Sequence, residues 1–258
     1  MSPTSATQRR TSLLWPSLFT LAAFSVLIGL GIWQIERKAW KEGLIAMLDQ
    51  RLAAPPVALP ARERWPSLDP ALEEFRRVSL RAQLVSDREA RVYTSGSGLR
   101  EDIKGPGYFA FAPARLADGS VVVVNRGYVP NPLPTASLRP IAVGDGALDI
   151  IGVMRWPESP NWFVTTHGAN SDLWFVRDHE AMAAAYDWGT VAPFYIDQEA
   201  PVPAGGVPRP APLKVNLRNE HLQYALIWFG LALVLAGSFG FWVFGRRREL
   251  SASVTQSH

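Results

Sequence analysis

Val215-Asn216-Leu217-Arg218-Asn219-Glu220-His221-Leu222-Gln223-Tyr224-Ala225-Leu226-Ile227-Trp228-Phe229-Gly230 is the stretch from which the rest of the chain can be read. It opens polar and turns apolar. No residue from Leu222 to Phe244 carries a charge. At about 1.5 Å of rise per residue, a helix of that length crosses a hydrocarbon core of about 30 Å. Gly245-Arg246-Arg247-Arg248 closes the run with cations. The pattern predicts a transmembrane helix with His221 at its mouth. His221, Tyr224 and Trp228 fall at i, i+3 and i+7, one helical face. An ionisable group at membrane depth is a functional candidate. Tyr and Trp at an interface are equally the ordinary dress of a membrane helix, and a His there often only meets headgroups.

Working outward, a second apolar run spans Leu13 to Ile35, with Pro16 suited to a first helical turn. It is longer than a signal-peptide core, and no Ala-x-Ala site follows it, so it is expected to be an uncleaved anchor. Gly31 to Lys41 continues that helix outward. Trp33, Arg37, Trp40 and Lys41 lie at i, i+4, i+7 and i+8 on one face. An aromatic belt with snorkelling cations is the plain reading of that face. The other reading is a pair of cations and several aromatics beside an imidazole, able to hold a flat, acid-bearing macrocycle.

The charge rule for topology is divided. Arg9, Arg10 and the Arg246–Arg248 cluster favour both termini inside, whereas Arg37, Lys38 and Lys41 after the first run oppose it. Those cations are therefore candidates for another duty.

Between the runs the pattern changes to period two. Phe75–Ala82 alternates, Ala90–Tyr93 reads as its hairpin partner, and Gly105-Pro106-Gly107 reads as a turn before a strand at Tyr108–Phe111. Asp118-Gly119 is a tight turn leading into Val121–Val124, whose unbroken β-branched run predicts a strand buried on both faces. Further strands are expected at Leu148–Met154, Asp172–Arg177 and Pro193–Asp197. Asp178 is placed to cap a short helix through Tyr186. Five prolines between Pro201 and Pro212 make an extended strap.

The expected architecture is an α+β membrane protein, two transmembrane helices flanking a small, mostly-β extracytoplasmic domain. The divisions are a tail at 1–12, a first span at 13–35, a helix extension and linker at 36–74 and a β-rich domain at 75–200. A strap at 201–214, a second span at 215–245 and a tail at 246–258 complete them.

Composition excludes several chemistries. The chain of 258 residues has no cysteine, which removes disulfides, thiolate catalysis, thiolate metal sites and iron–sulfur clusters. The net charge of +3 sits largely on the flanks of the apolar runs, so no nucleic-acid surface is read from it. No His-x-x-x-His, Gly-x-Ser-x-Gly or phosphate-loop motif is present. His167 and His179, with Asp172, Asp178 and Glu180 nearby, lack metal-ligand spacing. Their plain reading is a solvated loop His and a helix-start His. Asp87, Glu89, Glu101 and Asp102 read as solvated hairpin residues. Nothing argues for an enzyme.

Several runs of this chain together resemble the Surfeit locus protein 1 family, membrane assembly factors of haem–copper cytochrome c oxidase. The resemblance rests on Gly31-Ile32-Trp33-Gln34 with Arg37, Trp40 and Lys41; on Asn125-Arg126-Gly127-Tyr128-Val129-Pro130; on Gly152-Val153-Met154-Arg155; on Trp174 with Arg177-Asp178-His179-Glu180-Ala181-Met182; and on Leu217 through Tyr224 with Trp228. The last run is the most specific, and the order covers nearly the whole chain. Tyr128 stands where many members carry Trp or Phe.

The resemblance implies a bacterial plasma (inner) membrane protein, two-pass, with both termini cytoplasmic and the central domain periplasmic. It implies a part in supplying haem a to oxidase subunit I, in company with haem a synthase, and an axial haem ligand at His221. On that footing Tyr224, Trp228 and Trp33 are expected along the macrocycle, and Arg37 and Lys41 at its propionates. The competing expectation is a tethered scaffold that binds oxidase subunits or the synthase and never touches haem. In that reading the Asn125–Pro130 segment only holds the fold or offers a partner surface.

Overall fold

The computed structural model describes residues 13–85, 89–131, 146–158, 173–215 and 219–255, with side chains to 248. Arg9, Arg10, Asp87, His167, Asp172, Asn216, Leu217 and Arg218 lie outside the described residues. The chain divides into two compact units, Met1–Leu44 with Arg218–His258, and Ile45–Leu217.

Helix α1 runs unbroken over Leu14–Ala53, 40 residues, a length of about 60 Å. It is followed by β1 (Val57–Ala58), a 3₁₀ turn at Arg62–Ser67, α2 (Pro70–Glu73), β2 (Arg77–Leu84), β3 (Ala90–Gly96), β4 (Lys104–Leu116) and β5 (Val121–Pro130). Then come β6 (Leu148–Arg155), β7 (Leu173–Trp174), α3 (His179–Ala185), β8 (Val191–Ala200) and α4 (His221–Thr255). His221 is thus the first residue of α4, not one turn inside a span that starts at 215. Both α1 and α4 are long and apolar enough to cross a membrane. They leave Trp15, Phe19, Leu233 and Phe241 at least 75 % exposed, a surface that water would penalise and lipid would not.

In the second unit the strands follow the order β1-β2-β6-β8-β5-β4-β3-β7, and β2 also pairs with β4. That extra pairing, Ala82 to Leu116 through Leu84 to Ala114, closes β2, β6, β8, β5 and β4 into a ring. The expected hairpin of 75–82 with 90–93 is therefore wrong. β4 has 13 residues, enough for two partners in succession on one edge. Its first part pairs with β3 (Tyr108 with Tyr93), and its last part pairs with β2. Gly105-Pro106-Gly107 lies within β4, not in a turn before it.

The core follows from the alternation. Val122 and Val124 point into the ring with Val78, Leu80, Ile150, Met154, Phe194 and Ile196, and Trp65 joins them edge-on to Phe194 at 5.5 Å. Val123 points the other way, into a second cluster with Phe109, Phe111, Trp174, Met182 and Tyr195. The valine run is buried on both faces, as its composition predicts. Asp178 caps α3, its Oδ1 accepting from the Ala181 N–H at 3.0 Å.

Candidate functional site

Within the helical unit, α1 and α4 meet at two named points. Gly31 faces Phe229 so closely that a Cβ at position 31 would collide with the ring. One turn further along α1, Gln34 Oε1 lies 2.6 Å from His221 Nδ1. On α4, Ala225 and Ala232 are the fully covered positions among the described side chains. Glycine and alanine at the contact let helix backbones approach closely.

At this end of the pair is an open cavity of about 430 Å³, lined by Gln34, Lys41, Glu220, His221, Tyr224 and Trp228. That is the size of a small-molecule cleft. It combines an imidazole, a cation, a carboxylate and two aromatic faces. Four of the six side chains expected at the site, His221, Lys41, Tyr224 and Trp228, come together here. Arg37 and Trp33 are not among the lining residues. The Arg37 guanidinium lies 3.9 Å from the centre of the Trp40 ring, and Trp33 is 53 % exposed.

Sequence reasoning passed over Gln34 and Glu220. The signal for Gln34 was present. Gly31, Gln34 and Lys41 share one face of α1 at about 100° per residue, and an amide inside an apolar run needs a partner.

The remaining motif residues build a polar network in the β unit. Asn125 donates from Nδ2 to Asp197 Oδ1 at 2.6 Å and accepts from the Gly127 N–H at 3.1 Å. Arg155 reaches Asp197 Oδ2 at 3.3 Å and Glu74 Oε1 at 3.1 Å. Gly127 has φ +119° and sits where β5 places one extra residue opposite β4, a bulge that only glycine accommodates easily. The Asn125–Pro130 segment is thus a bulged continuation of the strand. Arg126 pairs with Glu89 at 2.7 Å, both side chains largely buried. Burial pushes the Glu89 carboxyl up, and Arg126 opposes that.

One more hairpin acid is better described by its partners. Asp102 receives Arg100 at 2.7 Å and Arg209 at 3.1 Å, and the Arg100 hydrogen bond holds its carboxyl below the usual value. The Tyr128 hydroxyl lies 3.1 Å from the Gly105 carbonyl and 3.0 Å from that of Pro106, contacts that a Phe would lack.

His179 is fully buried. Its Nε2–H donates to the Ala192 carbonyl at 2.9 Å, and burial pushes its pKa down. No cluster of three or more metal-ligating side chains occurs among the described residues.

Two helices long and apolar enough to cross a membrane flank, in sequence, a closed β domain, and the helical unit carries a histidine-bearing cavity; these features define the class. The chain belongs to the SURF1 family, whose profile matches residues 21–233. It is 33% identical over 255 residues to a SURF1-like protein of Monosiga brevicollis, covering 96% of this chain and 92% of the relative. It is 33% identical over 227 residues to a SURF1-like protein of Drosophila melanogaster, covering 83% and 73%. Surfeit locus protein 1 of Homo sapiens is 33% identical over 215 residues, covering 79% of this chain and 69% of the human protein.

Proposed function

We propose that this SURF1-family protein is a non-enzymatic assembly factor for haem–copper cytochrome c oxidase that holds haem a for insertion into subunit I. It does so as a two-pass protein of a bacterial inner membrane, with both termini cytoplasmic and the β domain periplasmic. Haem a synthase is the natural donor and subunit I the acceptor.

The observation that carries this reading is the cavity at the start of α4, where His221 stands with Lys41, Tyr224 and Trp228. The donor set suits a haem better than a bare ion. A structural metal ion needs three or four protein ligands, and no such cluster occurs among the described residues. A haem iron needs a single proximal imidazole. When bound, haem a would supply an iron to be ligated, two propionates and a lipid-soluble tail.

The chain's own residues do the rest. His221 offers one ring nitrogen to the iron. Lys41 offers an ammonium for a propionate. Tyr224 and Trp228 offer aromatic surface to the macrocycle. One protein ligand in an open cleft suits a carrier, which must release what it holds.

The test is His221→Ala in protein purified from cells that make haem a. The expected result is loss of pigment from the purified protein. An unchanged haem-to-protein ratio and spectrum would remove His221 as the ligand. Capture of subunit I with full oxidase maturation in that variant would favour the scaffold reading instead.

A further inference from the structure

We infer that Gln34 is the positioning residue for His221, fixing which ring nitrogen is presented and limiting how strongly it binds. This inference rests on the haem-holding reading above for its purpose, though not for its geometry.

An amide oxygen only accepts hydrogen bonds. With Gln34 Oε1 at 2.6 Å from His221 Nδ1, the hydrogen must sit on Nδ1. Nε2 then carries the free lone pair. The partner of one ring nitrogen decides what the other can do, so Gln34 sets the imidazole in the form that ligates through Nε2.

The placement explains why a partner is needed. His221 is the first residue of α4, at the open end of that helix. The orienting contact comes from the facing helix. Gly31 lies on the same face of α1 as Gln34, one turn before it. The bare backbone there admits the Phe229 ring and so allows the approach in which the Gln34–His221 bond forms.

The choice of glutamine also matters. Outer partners of ligating histidines are commonly carboxylates, which raise the basicity of the ligand. A neutral amide holds the ring without drawing its proton. The imidazole stays a weaker donor, which suits a site that must give up its cargo.

Two measurements test this. The first needs no haem. Side-chain ¹⁵N NMR of histidine-labelled protein in detergent micelles should show His221 as the Nδ1–H tautomer, and Gln34→Leu should shift it toward the Nε2–H form. The second uses protein loaded with haem a by co-production. Gln34→Leu should lower haem affinity about tenfold or more, the usual cost of losing such a partner. Gln34→Glu, close in shape, should retain haem more tightly and lower the midpoint potential, since a stronger donor favours the ferric iron.

An unchanged tautomer in Gln34→Leu, or an unchanged potential and haem affinity in Gln34→Glu, overturns the role of Gln34. Should Gln34→Leu fail to fold, Gln34→Glu decides alone. The two ideas fail separately. If His221→Ala keeps its haem, His221 falls as the ligand while the tautomer still judges Gln34. If His221→Ala loses haem and the Gln34 variants behave as wild type, only the Gln34 inference falls.

Discussion

Phe229 fills the space that any side chain at Gly31 would need, so α1 and α4 approach through a glycine on one and an aromatic ring on the other. Gly31→Leu should force the helices apart. Overpacking of this kind costs about 1–3 kcal/mol, and the Gln34–His221 bond one turn away should break with it. The thermal midpoint in detergent and the His221 ring tautomer report both effects. Phe229→Ala in the same chain should restore most of the loss. A double variant no better than the single one would mean that the contact does not set the spacing.

Arg126 and Glu89 form a pair removed from water. Glu89→Ala leaves the guanidinium buried without its carboxylate, which costs about 3–5 kcal/mol. Glu89→Leu with Arg126→Met should cost far less, because no charge is then stranded. Denaturant midpoints of the three chains give the ordering. Equal losses in the single and double variants would show that the pair itself stabilises the fold.

His179 predicts a pH dependence. Burial holds its imidazole below the ordinary 6.5, so the unfolded chain takes up the proton first. Its contribution to stability is full above 6.5 and is lost as the pH falls toward the folded value. Melting between about pH 7.5 and about pH 5 should show a downward slope that flattens in His179→Gln, a variant that keeps an N–H donor for the Ala192 carbonyl. The same slope in both chains would assign it to other groups.

Gly127→Ala should destabilise the β domain through two causes. Its φ of +119° is costly for a residue with a Cβ, of order 1–3 kcal/mol. The added carbon would also run into the Arg209 carbonyl on the strap, where Tyr128 and Arg209 exchange backbone hydrogen bonds at 3.0 and 2.8 Å. Hydrogen exchange of the Tyr128 and Arg209 amides should quicken first. Protection unchanged at both amides would contradict this account.

Local rules made part of this legible in the chain. The uncharged run from Leu222 to Phe244, the Val121–Val124 strand, the Asp178 cap and the turn at Gly119 each follow from a few adjacent residues. Pairing was not legible. Nothing near Phe75–Ala82 tells that its edge meets Ala114–Leu116 rather than Ala90–Tyr93, because the ring is closed by residues thirty or more positions apart. Glu89 reads as solvated until the bulge at Gly127 brings Arg126 to it. The site was half legible for a similar reason. Chemistry drew attention to Trp33 and Arg37, but the helix face that reaches His221 carries Gln34, an uncharged residue easily taken for filler in an apolar run.

Ring closure has a bearing on how such a domain survives without cysteine. An open sheet offers bare backbone to which a neighbouring chain can add a strand, a route to fibrous or amorphous deposits. Here, among the described residues, the outermost strands of the sheet are β1 and β7, of two residues each. A freshly made copy that has closed Leu84 onto Ala114 presents its neighbours with almost no template to grow upon.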